Sequence, residues 1–253
     1  MELFQIIMKG SRPMDMEHAS TSGGHALVVS TGNAEIDKKL GGGVPRGSLC
    51  LVEGQSDAGK SVMVQQFSYG ALMEGLGVSY YSTENSIRSL VSQMESLSLS
   101  VLDQLLLGML RIYPIRVNQD IKGADVMLEA LLRHYEAQKA EIIVIDSFTN
   151  LSMYRQAEEL LEFFHGCKAL CDSGRTIFVT IHSQAFDDDI ITRIRSLCDS
   201  HLRIRIQEVG TSLRKILEVS KVRGALMTTG NLVSFDVEPN VGMRIFPIGQ
   251  AKV

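Results

Sequence analysis

The sequence predicts an α/β fold with a mainly parallel sheet, helices on both of its faces and an antiparallel extension at the C-terminal edge. Between residues 48 and 181, short apolar runs alternate with longer segments that suit helices, which is typical of parallel strand–helix units. After residue 200, apolar and polar residues alternate, as expected of half-exposed strands. The 253 residues are enough for one large α/β domain.

The individual elements follow from these patterns in chain order. Residues 10–25 are small, polar and aperiodic, so we predict a flexible N-terminal segment at residues 1–26 and a single domain at residues 27–253. We predict parallel strands at residues 48–53, 78–82, 111–116, 142–146 and 176–181. We predict helices at residues 61–74, 86–98, 124–139 and 155–172. We predict antiparallel strands at residues 201–206, 213–222 and 232–237.

The composition is typical of a globular protein of the reduced cytoplasm. Hydrophobic residues make up 45% and charged residues 21% of the chain, and no apolar run approaches the roughly 20 residues that cross a bilayer. The N-terminus lacks the basic start and long apolar core of a secretory signal. The four cysteines form no C-x-x-C pair, which favours buried thiols over a metal or disulfide role.

The net charge of −4 is distributed unevenly. Residues 190–253 hold ten Lys and Arg against five Asp and Glu, so this part carries +5 and residues 1–189 carry −9. A basic edge beside an acidic body suits head-to-tail contact between copies of the chain. It is equally compatible with two solvated faces, and charge alone does not choose between them.

Residues 54–61 read G-x-x-x-x-G-K-S, the pattern of a phosphate-binding loop. Gly54 and Gly59 allow backbone angles and a close approach that a β-carbon would block. Lys60 is expected to reach the β- and γ-phosphates, and the Ser61 hydroxyl to coordinate Mg²⁺. The loop lies between a predicted strand and a predicted helix, which places phosphates at a helix N-terminus. The sequence therefore predicts an ATP and Mg²⁺ site formed by Gly54, Gln55, Ser56, Asp57, Ala58, Gly59, Lys60, Ser61 and Val62.

A carboxylate that completes the Mg²⁺ shell is expected at the end of a neighbouring strand. Residues 142–145 are four branched apolar residues, and Asp146 follows them directly. The phosphate loop upstream favours the Mg²⁺ role for Asp146 over that of a helix cap beyond the strand. The next residue, Ser147, is equally suited to bonding a metal-bound water and to capping the following segment.

Hydrolysis of ATP also needs a group that orients or activates the attacking water. Glu84 follows the strand predicted at residues 78–82 and is the best-placed acid, so we predict a catalytic role for Glu84 together with Lys60. Glu84 is equally suited to the start of the next helix, where an anion is favoured. His182 ends another strand at the same edge of the sheet, where it is a candidate γ-phosphate sensor, although a lone histidine is more often structural.

Residues 30–48 resemble the segment that leads into the phosphate loop in KaiC-like members of the RecA superfamily. This segment carries T-G, then I-D, then L-G-G-G-V-P-R-G-S. Lys221-Val222-Arg223-Gly224 resembles the K-x-R-G motif of that group, in which Lys and Arg reach ATP held by the adjacent subunit. The resemblance implies a RecA-like three-layer fold and an ATP site to which Lys221 and Arg223 of a neighbouring copy contribute. From the residues alone, Lys221 and Arg223 suit a solvated strand edge.

Within this group, the chain resembles the single-domain accessory ATPases of the archaellum, the archaeal flagellum. KaiC-like proteins commonly carry two adjacent acids after the strand, whereas here Thr83 replaces the first and Glu84 remains. The resemblance implies at most slow ATP hydrolysis and a homo-oligomer that assembles with nucleotide as a hexameric ring. It also implies contact with the archaellum motor ATPase and cytoplasmic scaffold proteins, at a cytoplasmic position peripheral to the membrane-embedded motor, with only indirect membrane association.

Two other functions fit the same motifs. A DNA-dependent, recombinase-like ATPase needs basic loops and stacking aromatic residues, but residues 183–189 are acidic, and Arg193 and Arg195 counter them only in part. We therefore expect no nucleic-acid partner. A KaiC-like autophosphorylating regulator needs an acceptor, and residues 20–22 and 228–229 offer Ser and Thr.

Overall fold

The computed structural model describes residues 27–116, 124–153, 155–209, 212–225 and 232–246. The predicted N-terminal segment at residues 1–26 and the candidate phosphate acceptors at residues 20–22 and 228–229 lie outside these ranges. Within them, no helix is long and apolar enough to cross a membrane.

The described residues form strands and helices in alternation through most of the chain. The strands are β1 (Val28–Val29), β2 (Val44–Pro45), β3 (Leu49–Gly54), β4 (Val78–Ser82), β5 (Leu110–Pro114), β6 (Ile142–Asp146), β7 (Thr176–His182), β8 (Ser200–Val209), β9 (Ser212–Val222), β10 (Leu232–Glu238) and β11 (Gly242–Phe246). The helices are α1 (Ala34–Lys39), α2 (Lys60–Met73), α3 (Ile87–Ser96), α4 (Leu102–Leu106), α5 (Ala124–Ala137), α6 (Phe148–Ser152), α7 (Ala157–Asp172) and α8 (Asp188–Leu197).

Within the described ranges, nine of these strands form one sheet in the order β11-β10-β9-β8-β3-β7-β6-β4-β5. The six strands β8, β3, β7, β6, β4 and β5 are parallel to one another. Strands β9, β10 and β11 continue the sheet antiparallel at the edge beyond β8. Strands β1 and β2 form a separate antiparallel pair.

The five predicted parallel strands are confirmed, with β4 and β6 at the predicted residues and the other three shifted by one or two residues. The four predicted helices are confirmed as α2, α3, α5 and α7. The strand predicted at residues 201–206 was wrongly assigned to the antiparallel part, because β8 pairs parallel with β3 and antiparallel only with β9. Its alternation of apolar and basic residues reflects exposure on one face, which does not fix the direction of a strand.

Several short elements were not predicted. Helices α1, α4 and α6 have five or six residues, too few to show a helical period. Strands β1, β2 and β11 were missed as well. The acidic residues before Ile190 were interpreted as a loop, but Asp188 and Asp189 form the first turn of α8, where negative charge is favoured by the helix dipole.

The sheet is buried on both faces, which explains the continuous apolar runs of its parallel strands. On one face, Phe67 of α2 stacks on Phe178 of β7, with ring centroids 4.6 Å apart. On the other face, Phe163 of α7 stacks on Phe148 of α6 at 4.9 Å. Strands β3, β4, β6 and β7 therefore end together at one edge between the two helical layers, where polar side chains can meet.

Candidate functional site

A cavity of about 690 Å³ opens at the edge where the parallel strands end. The phosphate loop forms one wall, because β3 ends at Gly54 and α2 begins at Lys60. Residues after β4, β6 and β7 form the opposite wall, and two residues of the antiparallel extension reach it as well. The lining residues are Ser56, Asp57, Gly59, Lys60, Ser61, Val62, Glu84, Asn85, Gln93, Asp146, Ser147, Thr149, Asn150, His182, Lys215 and Val237.

The two glycines of the loop have different roles. Gly59 has a φ of 101°, in the left-handed region, and a β-carbon there would lie 3.4 Å from the Phe235 ring. Gly54 is in a strand, where a β-carbon would lie 2.5 Å from the carbonyl oxygen of Ile204. The prediction of a special backbone angle at Gly54 is thus corrected, because its φ is not in the left-handed region, and the close approach that a β-carbon would block is that of β8.

Lys60 points back over the loop toward its backbone. Its Nζ donates to the carbonyl oxygen of Gln55 at 2.6 Å, which holds the ammonium where bound phosphates would lie. Burial lowers the pKa of Lys60, and the charges of Asp146, Glu84 and Asp57 oppose that shift. These three acids line the same cavity as Lys60, and their charges favour the protonated form of its amine.

Asp146 accepts hydrogen bonds from three hydroxyl groups at the base of the cavity and is only 3% exposed. Ser61 Oγ and Thr180 Oγ1 donate to its Oδ1, at 3.1 and 2.7 Å. The Tyr80 hydroxyl donates to its Oδ2 at 2.6 Å. Burial and the adjacent carboxylate both raise the pKa of Tyr80, which keeps this phenol protonated as a donor.

The Ser61–Asp146 pair fits the binding of a divalent cation together with a nucleotide. Because the Ser61 hydroxyl donates a hydrogen bond to Asp146, the lone pairs of its Oγ remain available to a metal ion. Among the described residues, no group of three or more His, Cys, Asp or Glu could hold a metal ion. Mg²⁺ commonly takes one or two protein ligands and completes its shell with phosphate and water, so the oxygen ligands of Ser61 and Asp146 fit this ion.

Glu84 lines the cavity beyond the end of β4. Asn150 Nδ2 donates to its Oε1 at 3.4 Å. Thr83 instead faces the backbone of the neighbouring strand end, because its hydroxyl donates to the Ser147 carbonyl and accepts from the Ser147 N–H, both at 3.1 Å. Asn85, the residue on the other side of Glu84, lines the cavity.

Two polar residues predicted with alternative roles have defined contacts. Ser147 caps α6, since its side chain accepts the N–H of Thr149 at 3.2 Å. The ring of His182 accepts the N–H of Ser56 in the phosphate loop at 3.0 Å, through Nε2. The backbone N–H of His182 donates to Thr149 Oγ1 at 2.8 Å. His182 thus holds a loop N–H that a phosphate group would otherwise accept.

A buried ion cluster supports the strand that leads into the loop. Glu53 is fully buried directly before Gly54 and accepts two hydrogen bonds from Arg195, at 2.6 and 2.9 Å, and one contact from His201 Nε2 at 2.9 Å. Burial alone would raise the pKa of Glu53, but the bonds from His201 and Arg195 lower it to about 2. The cluster joins β3 to α8 and β8 directly behind the loop.

We predict that Glu53→Gln reduces the loss of stability between about pH 4.5 and pH 2. The folded-state pKa of Glu53 is lower than the model-peptide value of 4.5, so its contribution is complete above that value and is lost as the pH falls toward 2. This difference in pKa corresponds to about 3 kcal/mol of the free energy of unfolding. Urea unfolding at a series of pH values measures the slope of the free energy of unfolding against pH. The control is Glu136→Gln, a substitution of an exposed glutamate. An unchanged slope in Glu53→Gln would contradict the assignment.

Lys221 and Arg223 lie at the opposite end of the sheet from the cavity of their own chain. Lys221 pairs in register with His201 near the start of β8. Its Nζ donates to the carbonyl oxygen of Cys198, and burial followed by the charge of Arg223 lowers its pKa. The Arg223 side chain is 61% exposed and lies 3.9 Å from Asp199. The structure therefore does not bring these two residues to the phosphate loop of the same chain.

The residues that sequence reasoning missed come from elements distant in sequence. Tyr80 and Thr180 reach Asp146 because β4 and β7 flank β6. Asn150 reaches the cavity from α6, and Lys215 from β9. No local motif marks them, and only the order of the strands in the sheet brings them together.

The family described as ATPase: KaiC matches residues 29–250. The chain is 28% identical over 229 residues to the archaeal flagellar ATP-binding protein FlaH of Sulfolobus acidocaldarius, covering 89% of this chain and 100% of that protein. It is 29% identical over 216 residues to the FlaH of Methanocaldococcus jannaschii, covering 83% and 91%. The crystal structure of the flagellar accessory protein FlaH from M. jannaschii superposes with a TM-score of 0.75 at 25% identity, covering 87% of this chain and 99% of that one.

The comparisons confirm the predicted fold and the predicted resemblance. The mainly parallel sheet, the helices on both faces and the antiparallel C-terminal edge are those of the RecA-like, three-layer fold of FlaH. The family match covers the phosphate loop, Asp146 and the segment at Lys221 and Arg223. The chain belongs to the KaiC ATPase family, and FlaH proteins are among its relatives.

Proposed function

We propose that this protein binds ATP with Mg²⁺ in the cavity at the phosphate loop, hydrolyses it slowly or not at all, and uses the bound nucleotide to control ring assembly in the archaellum. ATP binding rests on one observation above all. The loop between β3 and α2 holds the Lys60 ammonium against its own backbone, and Ser61 is bonded to Asp146 beside it.

This arrangement suits a triphosphate because its donors converge from the loop backbone, from the N-terminus of α2 and from Lys60. The N–H of Ser56 now bonded to His182 would be available to a phosphate oxygen if the ring moved aside. Mg²⁺ at this position would supply positive charge that offsets the charge of the phosphates. The residues that would hold it are Ser61 and Asp146.

The groups around Glu84 support slow hydrolysis. An attacking water needs a base or an orienting acceptor, and Glu84 lines the cavity with one long contact, whereas three hydroxyl groups already bond Asp146. Its neighbour in the cavity, Asn85, is an amide and cannot accept a proton from water. Glu84 is further tied to Asn150, which competes for the same oxygen.

The position of Lys221 and Arg223 supports the proposed control of assembly. Because both lie at the far end of the sheet, they can meet a nucleotide only in another copy of the chain, as in a head-to-tail ring. Asp199 forms an ion pair with the exposed Arg223 and also accepts a hydrogen bond from the Lys168 ammonium at 2.9 Å. The Asp199 carboxylate thus orients the Arg223 guanidinium, which remains exposed and can contact an anion of another chain.

The archaellum is proposed from the relatives, whose names describe archaeal flagellar ATP-binding proteins. By that similarity the ring would be hexameric and would contact the archaellum motor ATPase and cytoplasmic scaffold proteins beneath the membrane. The exposed Asp188 and Asp189 at the start of α8 oppose a nucleic-acid backbone near this edge of the sheet, which argues against the recombinase-like alternative.

We predict that Glu84→Ala retains ATP binding but loses the residual ATP turnover. The side chain lies at the cavity wall and makes one long contact, so its removal leaves the phosphate loop intact while the water loses its acceptor. A loss of about 100-fold or more is expected from removing a general base. Phosphate release and ATP affinity are the measurements. Glu95→Ala, an exposed acid on the next helix, is the matched control.

Turnover that is equal in wild type, Glu84→Ala and Glu95→Ala would remove Glu84 from the mechanism. Loss of ATP affinity in Glu84→Ala would instead assign the residue to nucleotide binding.

A further inference from the structure

Lys215 is a second ammonium group at the cavity, and it arrives from the antiparallel part of the sheet. It lies on β9, paired in register with Phe235 of β10. Its Cδ lies 3.6 Å from the position that a β-carbon on Gly59 would occupy, and the fully buried Phe235 ring lies beside the same position. No motif of the sequence assigns this residue, yet it lines the same cavity as Lys60.

The present partner of Lys215 is replaceable. Its Nζ lies 3.6 Å from Asp236 Oδ1, longer than a charge-assisted hydrogen bond, and the two side chains are 24% and 39% exposed. Asp236 Oδ1 also accepts the N–H of Val237 at 2.9 Å. If Lys215 turned away, the Asp236 carboxylate would keep a backbone partner and access to water.

The charges in the cavity favour such a turn. Three carboxylates, Asp57, Glu84 and Asp146, face two ammonium groups, Lys60 and Lys215, among the described lining residues. A bound polyphosphate adds several negative charges beside Gly59, close to the stem of Lys215. The attraction between an ammonium and several phosphate oxygens in this cavity is stronger than that of the partly exposed pair with the single charge of Asp236.

We propose that Lys215 is a phosphate ligand for nucleotide bound in the same chain, and that it leaves Asp236 to make this contact. The inference rests on the proposed ATP site and adds a cation from β9 to it. A purely structural role, in which the stem covers Phe235 and the ammonium reaches solvent, is the alternative that the test must separate.

The contact would connect the two ends of one strand. Lys215 lies six residues before Lys221 on β9, a span of about 20 Å along the strand. One end of β9 would hold the phosphates of its own nucleotide, while the other end presents Lys221 and Arg223 to a neighbouring copy. Binding of nucleotide would thereby fix the strand that carries the intersubunit cations.

The test compares ATP and ADP affinity, measured by calorimetry on the full chain, for wild type, Lys215→Met, Lys215→Arg and Asp236→Asn. Lys215→Met should weaken ATP binding by about 10- to 100-fold, as expected for one charge-assisted hydrogen bond, and Lys215→Arg should restore most of it. Asp236→Asn should strengthen ATP binding by about 2- to 5-fold, because it releases Lys215 from its competing partner. Arg214→Met is the matched control, since Arg214 lies over the Phe246 ring at 4.2 Å.

Affinity equal to wild type in both Lys215→Met and Asp236→Asn would overturn the inference, whatever their effect on thermal stability. A weaker affinity in Asp236→Asn would overturn the exchange of partners, since a structural pair predicts that outcome. If wild type itself did not bind ATP, the proposed function would fail first. If wild type binds and Lys60→Ala does not, the result for Lys215 stands on its own.

Discussion

Lys60→Ala is expected to weaken ATP binding by about 100-fold or more. The side chain supplies the ammonium group inside the phosphate loop, and its Nζ lies over the loop backbone, bonded to Gln55. Its removal would lose contacts to two phosphate groups, and each charge-assisted hydrogen bond contributes about 1.5–3 kcal/mol. Calorimetry or equilibrium dialysis with ATP and Mg²⁺ measures the change.

The fold should tolerate this substitution, because Lys60 occupies the first turn of α2, where alanine is favourable. Lys139→Ala removes an exposed lysine remote from the cavity and provides the control for loss of net charge. An affinity for ATP that is the same in Lys60→Ala and Lys139→Ala would contradict the assignment of the loop.

Asp146→Asn is expected to abolish the dependence of ATP affinity on Mg²⁺. The substitution keeps the size of the side chain and an oxygen for the Ser61 and Thr180 hydroxyls, and Tyr80 can rotate its hydroxyl to accept from the new amide. It removes the negative charge that would stabilise a divalent cation beside the phosphates. Titration of ATP affinity against Mg²⁺ measures the effect.

Wild-type protein should bind ATP at least about 10-fold more tightly with millimolar Mg²⁺ than with a chelator, a difference of about 1.4 kcal/mol that Asp146→Asn should lose. Asp103→Asn, at an exposed aspartate on α4, is the control. A full response to Mg²⁺ in Asp146→Asn would show that the cation is held by other groups.

The parts of the site that could be predicted from sequence are those in which chemistry and local structure coincide. The phosphate loop is one continuous segment between a strand and a helix, so its pattern fixes both the ligand class and the position in the sheet. Asp146 follows a run of branched apolar residues at a strand end, which is a local signal as well.

The rest of the site depends on contacts between segments far apart in sequence. Tyr80 bonds Asp146 only because β4 lies beside β6, and Lys215 reaches Gly59 only because β9 and β10 extend the sheet over the loop. The role of Gly54 likewise depends on β8 running parallel to β3, a direction that alternation of residues does not determine.

The directions of the side chains after β4 could not be predicted from the sequence. Thr83 directly precedes Glu84, but only the structure shows that the Thr83 hydroxyl bonds the backbone of Ser147 and that Asn85 lines the cavity. The turn after β4 has no periodic pattern from which these directions could be predicted.

If nucleotide in one chain controls assembly with the next, the molecular mass of the protein should differ with and without ATP and Mg²⁺. Light scattering coupled to size exclusion should show a larger, ring-sized particle for wild type with ATP, and smaller particles for Lys60→Ala and for Arg223→Ala. Arg223→Ala should still bind ATP, because Arg223 lies far from the loop of its own chain. If the wild-type protein is saturated with ATP and keeps the mass that it has without ATP, nucleotide does not control its assembly.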